Sequence, residues 1–118
     1  MFREFLKSKL HHIRVAEANI EYTGSLSLDS AIMDAAGIAP WEKVLVANVE
    51  NGARLETYAI PAPAGSKMVG LNGAAARLGS VGDRLIVMTF VSLDQYEKPS
   101  PRVLVFDEEN NVTRVIEE

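Results

Sequence analysis

Short runs of alternating apolar and polar residues dominate the chain, the pattern of strands with one buried face. Lys9, His11, Ile13 and Val15 alternate with Leu10, His12 and Arg14. Ile13 and Val15 mark the buried face of that strand, which then also carries the ionisable Lys9 and His11. Two such groups on a core stripe point to a cleft at the strand's end or to a subunit interface. Further strands are predicted over residues 19–22, 43–49, 55–60, 67–71, 84–90 and 102–106. Residues 85–91 are apolar on both faces apart from Thr89, which reads as a central strand covered on both sides. Asp29 caps a predicted helix over Ser30–Ala36 that Gly37 stops, and Asn72 caps a second over Gly73–Leu78 that ends at Gly79. Asn51-Gly52 between two strand runs reads as a type I′ hairpin turn. The charged residues 107–118 extend along the surface. Many short strands, few helices and no βαβ rhythm predict an all-β fold, a small closed barrel.

Composition narrows the function. A chain of 118 residues that is 47% hydrophobic makes one domain with a real core. Twelve basic against sixteen acidic residues give a net charge of −4, without the basic face that nucleic acid requires. The longest apolar run, 85–91, is too short to cross a bilayer, and Met1-Phe2-Arg3-Glu4 opens no secretory signal. The absence of cysteine excludes disulfides, thiol catalysis and thiolate metal sites, and fits a cytoplasmic protein. His11 and His12, as strand neighbours, point apart and make no metal site alone.

Several motifs offer candidate chemistry. Gly65-Ser66-Lys67 and Gly70-Leu71-Asn72-Gly73 lack phosphate-loop and dinucleotide spacing and read as turns. Glu108-Glu109 and Glu117-Glu118 are solvated acid pairs, and no serine, histidine and acid are singled out as a triad. Asn72-Gly73-Ala74-Ala75-Ala76 is either a plain capped helix or a backbone that a ligand anion can approach. Arg54 and Tyr58 share a face of one strand, as surface residues or as a carboxylate fork and a proton donor. Strict alternation points Thr57 the other way, so Thr57 and Tyr58 serve one site only if the strand bulges or ends there. Tyr22-Thr23-Gly24-Ser25 is a strand-to-helix loop or a self-cleavage site, since a serine hydroxyl can attack the unhindered carbonyl of a preceding glycine.

Together these pieces resemble the pyruvoyl-dependent aspartate decarboxylase family. The resemblance runs to about Leu93, with a variable tail beyond it. It rests on Lys9-Leu10-His11, Tyr22-Thr23-Gly24-Ser25, Asp34-Ala35-Ala36-Gly37-Ile38, Asn51-Gly52, Thr57-Tyr58-Ala59-Ile60, Asn72-Gly73-Ala74-Ala75-Ala76 and Ser80-Val81-Gly82-Asp83.

The resemblance implies a six-stranded double-psi β-barrel in a homotetramer with intersubunit sites. It implies a proenzyme that cuts itself between Gly24 and Ser25 into chains 1–24 and 25–118, with residue 25 becoming a pyruvoyl group. That group takes the place of pyridoxal phosphate, and no metal is needed. L-Aspartate would form a Schiff base there and lose its α-carboxylate, giving β-alanine for pantothenate and coenzyme A. Tyr58 would return the proton, and Thr57 would stabilise the oxyanion of self-cleavage. Lys9, Arg54, Thr57 and the amides of Gly73, Ala74 and Ala75 would bind substrate carboxylates, with His11, Tyr22 and Asn72 in support. Two other readings compete: a non-catalytic barrel that binds a partner, and a pyruvoyl decarboxylase of another amino acid.

Overall fold

The computed structural model describes residues 1–117. Nine strands form in chain order: β1 (Phe2–Arg14), β2 (Glu17–Asn19), β3 (Ser25–Asp29), β4 (Lys43–Asn48), β5 (Arg54–Ala62), β6 (Val69–Asn72), β7 (Arg84–Asp94), β8 (Arg102–Phe106) and β9 (Val112–Glu117). One α-helix, α1 (Ser30–Ala36), follows β3, and a 3₁₀ helix (Gly73–Leu78) follows β6. The fold is all-β, as the alternation predicts.

The sheet order is β2-β6-β3-β5-β4-β7-β1-β8-β9. Three of its ladders are parallel: β2–β6, β3–β5 and β1–β8. Only Val15 and Ala16 separate β1 from β2, so one stretch of chain pairs with β7 at one end and with β6 at the other. The Ala16 N–H donates to Val69 O at 2.8 Å across that junction. The core draws residues of β1, β3, β4, β6 and β7 inward: Leu10, Ile13, Leu26, Leu28, Val44, Val46, Val69, Leu71, Leu85 and Val87 are all fully enclosed. Truncating one of these leucines costs about 2–5 kcal/mol.

Several elements differ from the sequence pattern. In β1, Leu10 rather than Lys9 or His11 joins the core, because a register shift between His11 and Ile13 puts His12 at φ 63°. The bulge restores Ile13 to the inside and leaves Lys9 and His11 half-buried on the outer face. It also stacks the rings of His11 and His12, with centroids 3.9 Å apart, where simple alternation would separate them. β7 is central, between β4 and β1, but only one of its faces is fully covered; Ile86 and Met88 stay half-buried. The β4–β5 connection is not a two-residue type I′ turn. It runs from Val49 to Gly52 within the Asn48–Ala53 pair, and Gly52 alone takes a left-handed φ, 74°.

The strand predicted over 19–22 lies earlier, as β2, and the loop read at 22–25 leads into a further strand, β3, before α1. The Asn72 side chain accepts no capping hydrogen bond from its helix. The segment predicted to extend along the surface does so as an ordered edge strand, the exposed β9 paired with β8, and Asn110 pins the turn between them by accepting from the Arg14 N–H at 2.7 Å. Glu118, the last residue of that predicted segment, lies outside the described residues. Among the described residues no helix is long and apolar enough to cross a membrane.

Candidate active site

A small-residue strand opens the site. β3 pairs with β6 from its first residue, Ser25 opposite Asn72, but joins β5 only from Leu26, opposite Ala59. The β5 residues just before that junction, Thr57 and Tyr58, therefore face an unzipped edge. A pocket of about 320 Å³ fills the gap, lined by Gly24, Ser25, Leu55, Glu56, Thr57, Tyr58, Asn72, Ala74, Ala75 and Leu78. Thr57 and Tyr58 both reach it without any bulge in β5; the neighbouring strand begins there instead. An amino acid of aspartate's size fits such a volume, which sits at the low end for small-molecule sites.

Ser25 is only 3% exposed, a buried hydroxyl that must be satisfied. Asn72, buried opposite it, donates through Nδ2 to Ser25 Oγ at 3.0 Å and to Ser27 Oγ at 2.8 Å. Its side chain thus serves the serines rather than the helix start. Gly73, at φ 62°, lies so close to the loop that a Cβ there would sit 2.7 Å from Gly24 Cα and 3.1 Å from Tyr22 O. Gly24 itself is not in the left-handed region, and a Cβ on it would meet only Asn72 O, at 3.9 Å. Its glycine therefore leaves the carbonyl open to approach and relieves no backbone strain.

Outside the pocket lining, the indole of Trp41 stacks on the Tyr58 ring, with centroids 5.4 Å apart and planes 24° apart. Glu56, at the rim, is paired with Lys43 at 2.7 Å, which neutralises the carboxylate nearest the pocket.

Of the sequence candidates, Gly24, Ser25, Thr57, Tyr58, Asn72, Ala74 and Ala75 line one pocket, and Gly73 packs directly against its loop. Tyr22 does not; its side chain lines a separate groove with Glu17, Asn19 and Ile60 on the other side of Asn72. Arg54 stands at the start of β5, about 13 Å along the strand from Tyr58, exposed and without a side-chain partner among the described residues. Lys9 lies in a cross-strand row with Met88, Leu45 and Glu56, three strand spacings or about 14 Å from β5. His11 occupies the matching row with Ile86, Ala47 and Arg54. Burial, then His12 and then Lys9, hold the His11 pKa below its ordinary value. Leu55, Glu56 and Leu78 also line the pocket and Trp41 stacks on Tyr58; of these only Glu56 carries a signal in the sequence, since it shares the alternate face of Arg54 and Tyr58.

Comparison with known proteins gives a consistent result. A family model described as aspartate decarboxylase matches residues 1–113. The chain is 56% identical to an aspartate 1-decarboxylase of Acaryochloris marina, over 95% of this chain and 87% of that one. It is 57% identical to one of Coprothermobacter proteolyticus, over 93% and 92% of the two chains. For one of Carboxydothermus hydrogenoformans the figures are 45%, over 99% and 94%.

Proposed function

The chain belongs to the aspartate decarboxylase family, and on that premise we propose that it cuts itself at Gly24-Ser25 and converts L-aspartate to β-alanine and CO₂. The observation that carries this reading is the burial of Ser25 at an unzipped strand edge, with Gly24, Thr57, Tyr58 and Asn72 around one pocket.

Self-cleavage follows from the chain's own atoms. Ser25 Oγ attacks the Gly24 carbonyl, and the acyl group moves from nitrogen to oxygen. The Asn72 amide orients that oxygen by donating to it, which leaves the hydroxyl proton directed elsewhere. Thr57, on the opposite wall, stabilises the oxyanion, a donor role that commonly contributes a few kcal/mol. Elimination of the ester frees fragment 1–24 with a Gly24 carboxylate and leaves residue 25 as dehydroalanine, which takes up water and loses ammonia. The pyruvoyl ketone so formed supplies an electrophile for the substrate amine and a sink for the electrons that the departing carboxylate leaves behind. The pocket fits this group, because the residue that becomes it is enclosed while the edge beside it is open.

Substrate binding needs cations and amides. Gly73, Ala74 and Ala75 offer backbone amides at the pocket's edge, with the Thr57 hydroxyl opposite. Tyr58 returns the proton to the α-carbon. Lys9, His11 and Tyr58 share the outer face of the sheet, and in a homotetramer a neighbouring copy would bring Lys9 and His11 to this pocket; Arg54 would complete the charge. In this reading β1–β2 count as one strand, which closes with β7, β4, β5, β3 and β6 into the six-stranded barrel. The product would feed pantothenate synthesis in the cytoplasm.

Purified protein supplied with L-aspartate should release β-alanine, and Ser25→Ala should release none. A wild-type protein that forms no β-alanine would remove the proposal. Faster consumption of a different amino acid would keep the chemistry and reassign the substrate.

A further inference from the structure

Trp41 is the only tryptophan in the chain, and its surroundings are unusual. It is 71% exposed, so burial contributes little to holding it. Its φ of 70° lies in the left-handed region, where a bulky side chain is a genuine outlier. The fold nevertheless braces it. The Trp41 N–H donates to Ala59 O at 2.8 Å, and the Ala59 N–H donates to Glu42 O at 2.9 Å. Glu42 in turn accepts from the Ala39 N–H at 2.9 Å and pairs with Lys7, whose ammonium also donates to Gly37 O. A strained, exposed aromatic residue is thus fixed from both sides of the loop, and the ring it meets is Tyr58.

Tyr58 itself is half-buried at the pocket wall. Its hydroxyl makes no hydrogen bond among the described residues, so no polar partner sets the direction of the phenol. Stacking against the indole, whose backbone is braced on β5, sets the plane of the phenol ring. We propose that Trp41 is a positioning residue for the Tyr58 phenol, holding it where it can deliver its proton. This rests on the reading of Tyr58 as the proton donor. Trp41 does not touch the reacting atoms and has no part in self-cleavage.

The test compares Trp41→Ala, Trp41→Leu and Trp41→Phe, each alone and in a Tyr58→Phe background, with turnover expressed per mole of residue-25 carbonyl. All single variants should cleave at Gly24 as the wild type does. Trp41→Ala and Trp41→Leu should lower kcat about three- to tenfold, the scale of a lost aromatic pair, and leave KM within about twofold. Trp41→Leu keeps apolar bulk without a flat ring, so its agreement with Trp41→Ala separates stacking from simple loop stability. Trp41→Phe should recover most of the loss. In the Tyr58→Phe background, where there is no phenolic proton to aim, Trp41→Ala should cause no further fall in the residual turnover. An unchanged kcat in Trp41→Ala, a full kcat in Trp41→Leu, or an equal fall in the Tyr58→Phe background would overturn the inference. Wild-type turnover in Tyr58→Phe alone would instead remove its premise, a failure that the same series separates from the others.

Discussion

Thr57 and Tyr58 are adjacent in β5 and point to opposite faces, yet both reach the pocket, and their proposed tasks separate in time. Thr57→Val removes the hydroxyl assigned to the oxyanion and keeps the β-branched shape. Self-cleavage should slow by orders of magnitude, seen as uncut chain accumulating on a gel. Tyr58→Phe keeps the ring against Trp41 and removes the proton. It should cut normally at Gly24, while β-alanine formation per pyruvoyl falls about 10²–10⁴-fold. The reverse pattern, with Tyr58→Phe uncut and Thr57→Val cutting freely, would exchange the two roles. At this scale the sequence was informative, because Gly24-Ser25, Thr57-Tyr58 and Asn72-Gly73 are each short and local. It did not show what Asn72 does: a residue at a helix start reads as a cap, and only the β3–β6 register turns its amide toward Ser25.

Among the elements, the β3–α1 junction carries the clearest electrostatic signature. Asp29 is buried, and burial pushes its pKa up. The backbone N–H groups of Lys67, Gly65, Ala31 and Ile32 outweigh that and hold it below the ordinary value. Three of those bonds lie at 2.8–3.1 Å, so one carboxylate ties the α1 start to the segment entering β6. A carboxyl whose folded pKa is depressed contributes stability above its unfolded pKa and loses that contribution as pH falls through the folded value. The thermal stability of the uncleaved Ser25→Ala protein should therefore fall below about pH 4. Adding Asp29→Ala should cost about 2–3 kcal/mol at pH 7 and flatten that acid limb. An unaltered acid limb would free Asp29 of this role. The helix and its cap were legible from Asp29 and Gly37. β3 was not: its Ser-Leu-Ser-Leu-Asp run is poor in strand formers and is held by neighbours on both sides. The bulge at His12 was equally hidden, since alternation assumes an unbroken period.

For the molecule as a whole, alternation predicts the all-β class but not which strands pair. The parallel ladders β3–β5 and β2–β6 join segments far apart in sequence, and it is the staggered starts of β3 on its two neighbours, at Ser25 against β6 and at Leu26 against β5, that leave the edge open at Ser25. Lys9 and His11 carry the same lesson: their place on the outer face depends on one inserted residue and on what covers that face. In the proposed reaction this open edge serves to turn Ser25 into the reacting group, and an intact-mass spectrum of the purified protein reads that conversion. Two fragments should appear, one ending at Gly24 and one beginning at a residue 25 that Edman chemistry cannot open. Their masses together should equal the intact chain plus one water less one ammonia, while Ser25→Ala stays a single chain. A wild-type protein that remains uncut after prolonged warming, or whose second fragment begins with an ordinary serine amine, would contradict the account.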